Sequence, residues 1–168
     1  MTQPADSSVV SPVSQLADLL LQKKRFLATA ESCTGGLISA ACTDLSGSSA
    51  WFERGFVTYS NDAKIELLGV DAGVISQHGA VSEETARAMV EGAIARSKAQ
   101  VPVAVSGVAG PPGGSRARPV GTVWFGWSVN GQTSAECMLF AGDRAAVRAA
   151  TVRHALERLI ALLTAGSA

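Results

Sequence analysis

The chain has 168 residues, 47% hydrophobic and 17% charged, with 14 Lys plus Arg balanced by 14 Asp plus Glu. That length suits one domain with a single sizeable core, and the apolar content excludes a disordered body. Balanced charge removes any long-range pull toward nucleic acid or an anionic membrane, and no apolar run approaches the ~20 residues that span a bilayer.

The opening "MTQPADSSVVSPVSQ" lacks the basic start and apolar stretch of a signal peptide, so residues 1–12 read as a loose leader and 13–165 as one domain. From Val13 to about Lys24, Val13, Leu16, Leu19 and Leu20 recur at helical spacing. "FLATA" is a short strand, "TGGLISAACTDL" a helix, and "ERGFVTYS" a second strand. Asn61 or Asp62 is expected to cap a short helix that stops at Gly69. Ser82 is the expected cap of the next, which presents Ala86, Met89, Val90, Ala93 and Ile94 on its buried face. "VPVAVSGVAG" is a buried strand entering the glycine-rich loop "GVAGPPGGSRARPVGT". Two strands then meet at Asn130-Gly131, a strong hairpin signal, and Asp143 caps a last helix with Val152, Leu156, Leu159 and Leu163 on its apolar face.

The order α-β-α-β-α-α-β-β-β-α predicts an α/β fold. It is a three-layer α/β/α sandwich around a mixed, mostly parallel five-stranded sheet. Ligands of such sheets sit beyond the C-terminal ends of the parallel strands. Three polar segments fall there: Glu31-Ser32-Cys33-Thr34, Tyr59-Ser60-Asn61 with Lys64, and Ser106-Gly107 with the glycine-rich loop.

Each has a plain structural reading beside the chemical one. Ser32 or Thr34 can simply cap a helix, and Gly35 and Gly36 can simply permit close packing. In the chemical reading, N–H groups around Cys33 to Gly36 face an incoming oxygen with Ser32 beside them as nucleophile. Such a serine needs a base. His154 lies midway along the last helix and His78 in a loop, where structural or surface roles suffice. Neither G-x-S-x-G nor S-x-x-K occurs. Lys64 remains, either as an ordinary solvated helix residue or as a base. An ordinary lysine, pKa ~10.4, is protonated, so a base requires desolvation or a neighbouring cation such as Arg144. The glycine-rich loop has no P-loop ending and no dinucleotide spacing; Arg116, Arg118 and Arg144 are the candidates for a phosphate clamp. Trp51, Phe52, Trp124 and Trp127 read as core or interface residues. The three cysteines, Cys33, Cys42 and Cys137, form no C-x-x-C and point to reduced thiols in a cytoplasm.

Six segments in order, "TAESCTGG", "GSSAWFERGFVTYSNDAK", "HGAVSEE", "SGVAGPPGG", "PVGTVWFGW" and "GDRAAVR", resemble the C-terminal domain of the competence/damage-inducible protein CinA. The resemblance runs from about residue 13 to 163, and members of this length look like nicotinamide-nucleotide amidases. It implies hydrolysis of nicotinamide mononucleotide to nicotinate mononucleotide and ammonia, with no metal or organic cofactor. The family's serine–lysine pair falls on Ser32 and Lys64, and Tyr59 and Arg144 match further site positions. Backbone donors near Thr34, Gly35 and Gly36 would hold the oxyanion, while Ser106, Gly107, Arg144 and the glycine-rich loop would hold the nucleotide. At Pro112 and Arg118 the loop departs from the family pattern. The N-terminal pyrophosphatase-type domain of longer relatives has no counterpart in these segments. A non-catalytic nucleotide-binding or regulatory module of the same fold is the alternative, and a phosphatase-like hydrolase a third. The expected partner is a small-molecule nucleotide rather than nucleic acid or membrane, and the aromatic hairpin raises a homodimer.

Overall fold

In a computed structural model, which describes residues 10–166, twelve elements follow one another. They are α1 (Pro12–Lys23), β1 (Leu27–Glu31), α2 (Leu37–Thr43), a 3-10 turn (Ser48–Ala50), β2 (Phe52–Val57), α3 (Asn61–Leu68), α4 (Ala72–His78), α5 (Glu83–Ala95), β3 (Val101–Gly107), β4 (Thr122–Val129), β5 (Gln132–Leu139) and α6 (Arg144–Ala165). The expected leader lies mostly outside the described residues; its last two, Ser11 and Pro12, are the N-cap and first residue of α1.

The sheet order is β2-β1-β3-β4-β5. β1 pairs in parallel with β2 and β3, whereas β4 is antiparallel to both β3 and β5, as the hairpin demands. Asn130 and Gly131 both adopt positive φ, 53° and 76°, the geometry a two-residue turn of this kind requires. Helices cover both faces. Val101, Val103 and Val105 of β3 and Phe125 and Trp127 of β4 pack with Leu16 and Leu20 of α1 and Leu159 and Leu163 of α6. On the opposite face Ala30 and Ala104 meet Met89, Val90 and Ala93 of α5 and Leu68 of α3. That second face is built from small residues so that α5 can approach closely. A Cβ at Gly126 would stand 2.8 Å from Val90 Cγ2 and 2.9 Å from the Ala86 carbonyl oxygen.

Four local expectations need correction. The stretch expected as loop holds α4, with His78 as its last residue; seven residues that include a glycine and two β-branched side chains carry little helical signal. An Asp71 cap on the Gly73 N–H and burial of Ile75 stabilise it instead. The cap of α3 is Ser60, whose Oγ accepts the Ala63 N–H at 3.0 Å, and Asn61 already belongs to the helix. α2 starts at Leu37 rather than Thr34. Ile94 is 41% exposed, at the edge of the buried face of α5.

Candidate active site

The three mutually parallel strands end in one row, with Glu31 of β1 beside Val57 of β2 and Val105 of β3. Two further backbone bonds extend that row: Ser32 N–H donates to the Val105 carbonyl at 3.1 Å, and Thr58 N–H to the Glu31 carbonyl at 2.8 Å. Ser32 therefore leaves the sheet next to the Thr58–Tyr59 backbone. A cavity of about 410 Å³ opens over these strand ends, with Ser32, Cys33, Tyr59, Lys64, Ser106 and Arg144 in its wall and the loop from Gly107 to Gly113 along one side.

α3 starts directly beyond Tyr59, and its first turn carries Lys64 inward until only 1% of it is exposed. Lys64 Nζ lies 2.9 Å from Ser32 Oγ, 2.8 Å from the Thr58 carbonyl and 3.3 Å from the Tyr59 carbonyl. No carboxylate pairs with it among the described residues. Burial without a counter-ion disfavours the ammonium and lowers its pKa from 10.5 to about 8. The three oxygens around Nζ accommodate both protonation states. The neutral amine gives its two N–H bonds to the carbonyls and keeps its lone pair for the Ser32 hydroxyl proton. The protonated form donates to Ser32 Oγ instead, and the serine proton turns to the Tyr59 carbonyl at 3.4 Å.

Tyr59 thus holds the pair through its backbone, not its ring. Its exposed phenol accepts from Arg144 Nη2 at 3.1 Å, and Arg144 Nη1 donates to the Gly110 carbonyl at 2.8 Å. Arg144 spans the cavity mouth from the first residue of α6. Of the other clamp candidates, Arg118 donates to the His78 carbonyl at 2.6 Å and so fastens α4, while neither it nor Arg116 lines the cavity. Ser106 Oγ, buried, donates to the Ala80 carbonyl at 2.8 Å. Gly107 permits packing on β4, because a Cβ there would sit 2.7 Å from Val123 Cγ2. Asn61, one turn before Lys64 on α3, also lines the cavity.

Thr34, Gly35 and Gly36 lie apart from the cavity wall. The reason is Glu31, the carboxylate just before the serine. Fully buried, it accepts from Thr34 Oγ1 at 2.6 Å, the Ile38 N–H at 2.8 Å, the Ser39 N–H at 3.0 Å and Ser39 Oγ at 2.8 Å. The start of α2 is therefore neutralised by the protein's own side chain. Gly36, at φ 107°, supplies no cap of its own. The N–H of Gly35 is also committed, to the Ser32 carbonyl at 3.0 Å. Among the described residues the N–H groups of Cys33 and Thr34 meet no protein acceptor, and Cys33 lines the cavity. Burial raises the Cys33 thiol to about 11, so it stays protonated near neutral pH.

Sequence reasoning missed Glu31 as an anchor and Arg148 altogether. Arg148 Nε donates to the Cys33 carbonyl and Nη2 to the Thr34 carbonyl, each at 3.2 Å. Its position four residues after Arg144 was the available signal, since that spacing puts both guanidiniums on one face of α6. The histidines stand elsewhere: His154 Nε2 is 3.2 Å from Glu136 and edge-on to Phe125, and His78 Nδ1 is 3.5 Å from Glu84.

The profile of the CinA C-terminal domain matches residues 10–163. The chain belongs to that family. Among its relatives, nicotinamide-nucleotide amidohydrolase PncC of Escherichia coli is 47% identical over 157 residues, covering 92% of this chain and 94% of the relative. The protein of the same name from Pseudomonas putida is 53% identical over 159 residues, covering 92% and 99%. The crystal structure of competence damage-inducible protein A (ComA) from Klebsiella pneumoniae superposes with a TM-score of 0.88 at 42% identity, covering 91% of this chain and 95% of that one. That of competence/damage inducible protein CihA from Agrobacterium tumefaciens gives 0.84 at 45% identity, covering 94% and 99%. These likenesses bear out the α/β fold around a mixed five-stranded sheet.

Proposed function

We propose that this chain is a nicotinamide-nucleotide amidohydrolase, converting nicotinamide mononucleotide and water to nicotinate mononucleotide and ammonia with Ser32 and Lys64 as its catalytic pair. The observation that carries the reading is the 2.9 Å approach of a buried, carboxylate-free Lys64 to Ser32 Oγ at the cavity wall. A binding module has no use for such a pair, whereas amide hydrolysis needs both members. The names of the E. coli and P. putida relatives support the same activity.

Neutral Lys64 takes the Ser32 proton as Oγ attacks the carboxamide carbon, and the carbonyl electrons move to oxygen. The backbone N–H of Cys33, at the cavity wall, receives that oxyanion. Lys64, now ammonium, gives its proton to the amide nitrogen, and the carbon–nitrogen bond breaks to release ammonia. A water molecule then loses a proton to Lys64 and attacks the acyl-serine. Collapse returns the proton to Ser32 Oγ and frees the nicotinate nucleotide. Arg144 and the loop from Gly107 to Gly113 hold the remote phosphate, so that binding energy there aligns the amide. Residues 13–165 act as one domain in this reading, in a cytoplasm and without nucleic acid. The reduced thiols and the absence of a membrane-spanning helix among the described residues agree with it. Phe125 and Trp127 of the hairpin lie in the core, so the aromatic residues there give no support to a pairing of two copies.

The test is ammonia release from nicotinamide mononucleotide by the wild type, Ser32→Ala and Lys64→Ala. The wild type is expected to turn over, and each variant to lose ~10³-fold or more in kcat. A folded wild type that releases no ammonia sinks the amidase reading.

A further inference from the structure

We propose that Arg144 is a specificity-determining residue that ends the substrate cavity at a mononucleotide and keeps pyridine dinucleotides out. The inference rests on the amidase reading and deepens it, from the reaction at Ser32 to the size of nucleotide that can reach it. It starts from a second cavity, of about 610 Å³, with Pro111, Val120, Ala145 and Arg148 in its wall. Ala109 and Arg144 stand in the walls of both this cavity and the one of about 410 Å³ over Ser32. Ala109 adds only a methyl group to the backbone there, so the long side chain of the shared boundary is Arg144.

Arg144 is held in place at both tips of its fork. Nη1 donates to the Gly110 carbonyl at 2.8 Å and Nη2 to the Tyr59 phenol at 3.1 Å. The guanidinium thereby ties the glycine-rich loop to the segment that follows β2. Gly110 is buried and gives the strap a fixed end, whereas Tyr59 is exposed. The remaining N–H groups of the guanidinium are left for a phosphate arriving from the Ser32 side.

The two halves of a dinucleotide are joined through their phosphates. In a mononucleotide the phosphate is the end of the molecule, so it meets the guanidinium and nothing has to pass. In a dinucleotide a second phosphate and a second nucleoside continue from that point and need the space beyond Arg144. The second cavity has the lining such a half requires: Pro111, Val120 and Ala145 offer apolar contact to a nucleoside, and half-buried Arg148 offers charge to a phosphate. Among the described residues no carboxylate lies within 4.0 Å of either arginine, and the Asp143 carboxylate accepts the Ala146 N–H at 2.9 Å. Room for the second half therefore exists, and the strap stands between it and Ser32. A dinucleotide must break two hydrogen bonds from a charged donor that a mononucleotide leaves in place.

The experiment measures ammonia release from nicotinamide mononucleotide and from nicotinamide adenine dinucleotide by the full-length wild type, Arg144→Ala and Arg144→Lys, with thermal melting of each. The wild type is expected to favour the mononucleotide by about 10²-fold or more in kcat/KM. Arg144→Ala is expected to raise kcat/KM for the dinucleotide at least about tenfold above the wild-type value, while the mononucleotide loses its phosphate contact and falls. Arg144→Lys keeps the charge, but a single ammonium does not span the Gly110 carbonyl and the Tyr59 phenol. It is expected to move the dinucleotide in the same direction, and it carries the test should the alanine variant not fold. A wild type that takes both nucleotides equally well, or folded variants whose kcat/KM for the dinucleotide does not rise, overturns the proposal. A ratio that shifts only through loss on the mononucleotide counts as that second result. Calorimetric titration of both nucleotides into Ser32→Ala, with and without Arg144→Ala, reads the same selectivity without turnover. If the wild type releases no ammonia while Ser32→Ala still prefers the mononucleotide and Arg144→Ala tightens the dinucleotide, the amidase reading alone fails. Binding without preference, or binding of neither nucleotide, overturns the role of Arg144.

Discussion

Replacing Lys64 by methionine separates the electrostatics of the buried amine from its packing, because methionine fills much the same volume without a titrating group. In the folded protein burial brings Lys64 to about 8, against 10.5 for the ordinary group. The unfolded chain therefore binds this proton more tightly than the folded one. A lowered lysine pKa of this kind makes stability rise with pH between the two values and leaves it flat below the lower one. The full gap corresponds to about 3 kcal/mol, of which about 2.5 kcal/mol falls between pH 7 and pH 10. Methionine also leaves the Thr58 and Tyr59 carbonyls without their Nζ donor, at a cost of roughly 1–3 kcal/mol that does not depend on pH. The predicted quantity is thus the change in the difference, not its absolute value. Urea unfolding of wild type and Lys64→Met at a series of pH values should show the wild type gaining about 2.5 kcal/mol on the variant from pH 7 to pH 10. A difference that stays flat across that range would refute the account of Lys64 as a desolvated, counter-ion-free amine.

The same value predicts the rate profile. If neutral Lys64 is the base, kcat/KM for nicotinamide mononucleotide should climb tenfold per pH unit below about 8 and level off above it; a profile already flat at pH 6.5 removes Lys64 from that role. Glu31→Leu leaves the N–H groups of Ile38 and Ser39 buried without their acceptor. It should lower unfolding stability by about 2–5 kcal/mol, and a loss under ~1 kcal/mol in thermal or urea unfolding would contradict its anchoring role. Tyr59→Phe removes only the phenol that Arg144 donates to and keeps the carbonyl beside Lys64. Steady-state kinetics should therefore show a kcat within about tenfold of wild type; a loss as deep as that of Ser32→Ala would assign the phenol to the chemistry.

What the sequence made legible were features whose cause is local. Asn130-Gly131, Ser82 and Asp143 act through their own backbone or within three residues, and each does in space what its position implies. Ser32 and Lys64 were legible because both follow strands that end on one edge, and the resemblance then linked them across the intervening chain. Glu31 was not, since its carboxylate reaches N–H groups seven and eight residues onward, which depends on how the glycine turn folds back. Thr34 to Gly36 were expected to offer donors to a substrate, and that expectation had no way to register a side chain already occupying the helix start. Arg148 reaches its carbonyls across 114 and 115 residues of sequence, a contact that exists only once α6 packs beside α2. α4 was hidden by weak propensity, and its stability comes from Ile75 entering the core.

The unequal thickness of the two helical layers also governs how this fold can drift. Beneath α1 and α6 lie leucines, valines, Phe125 and Trp127, long side chains whose volume neighbours can trade among themselves. Beneath α5 the sheet offers Ala30, Ala104 and Gly126, where the helix rests almost on the backbone and an added carbon has nowhere to go. Diverging copies are free to rewrite the first side and are locked on the second. Ala30 and Ala104 each sit two residues before Ser32 and Ser106 along their strands, so the tightly packed side of the sandwich is also the one that keeps the strand ends in register.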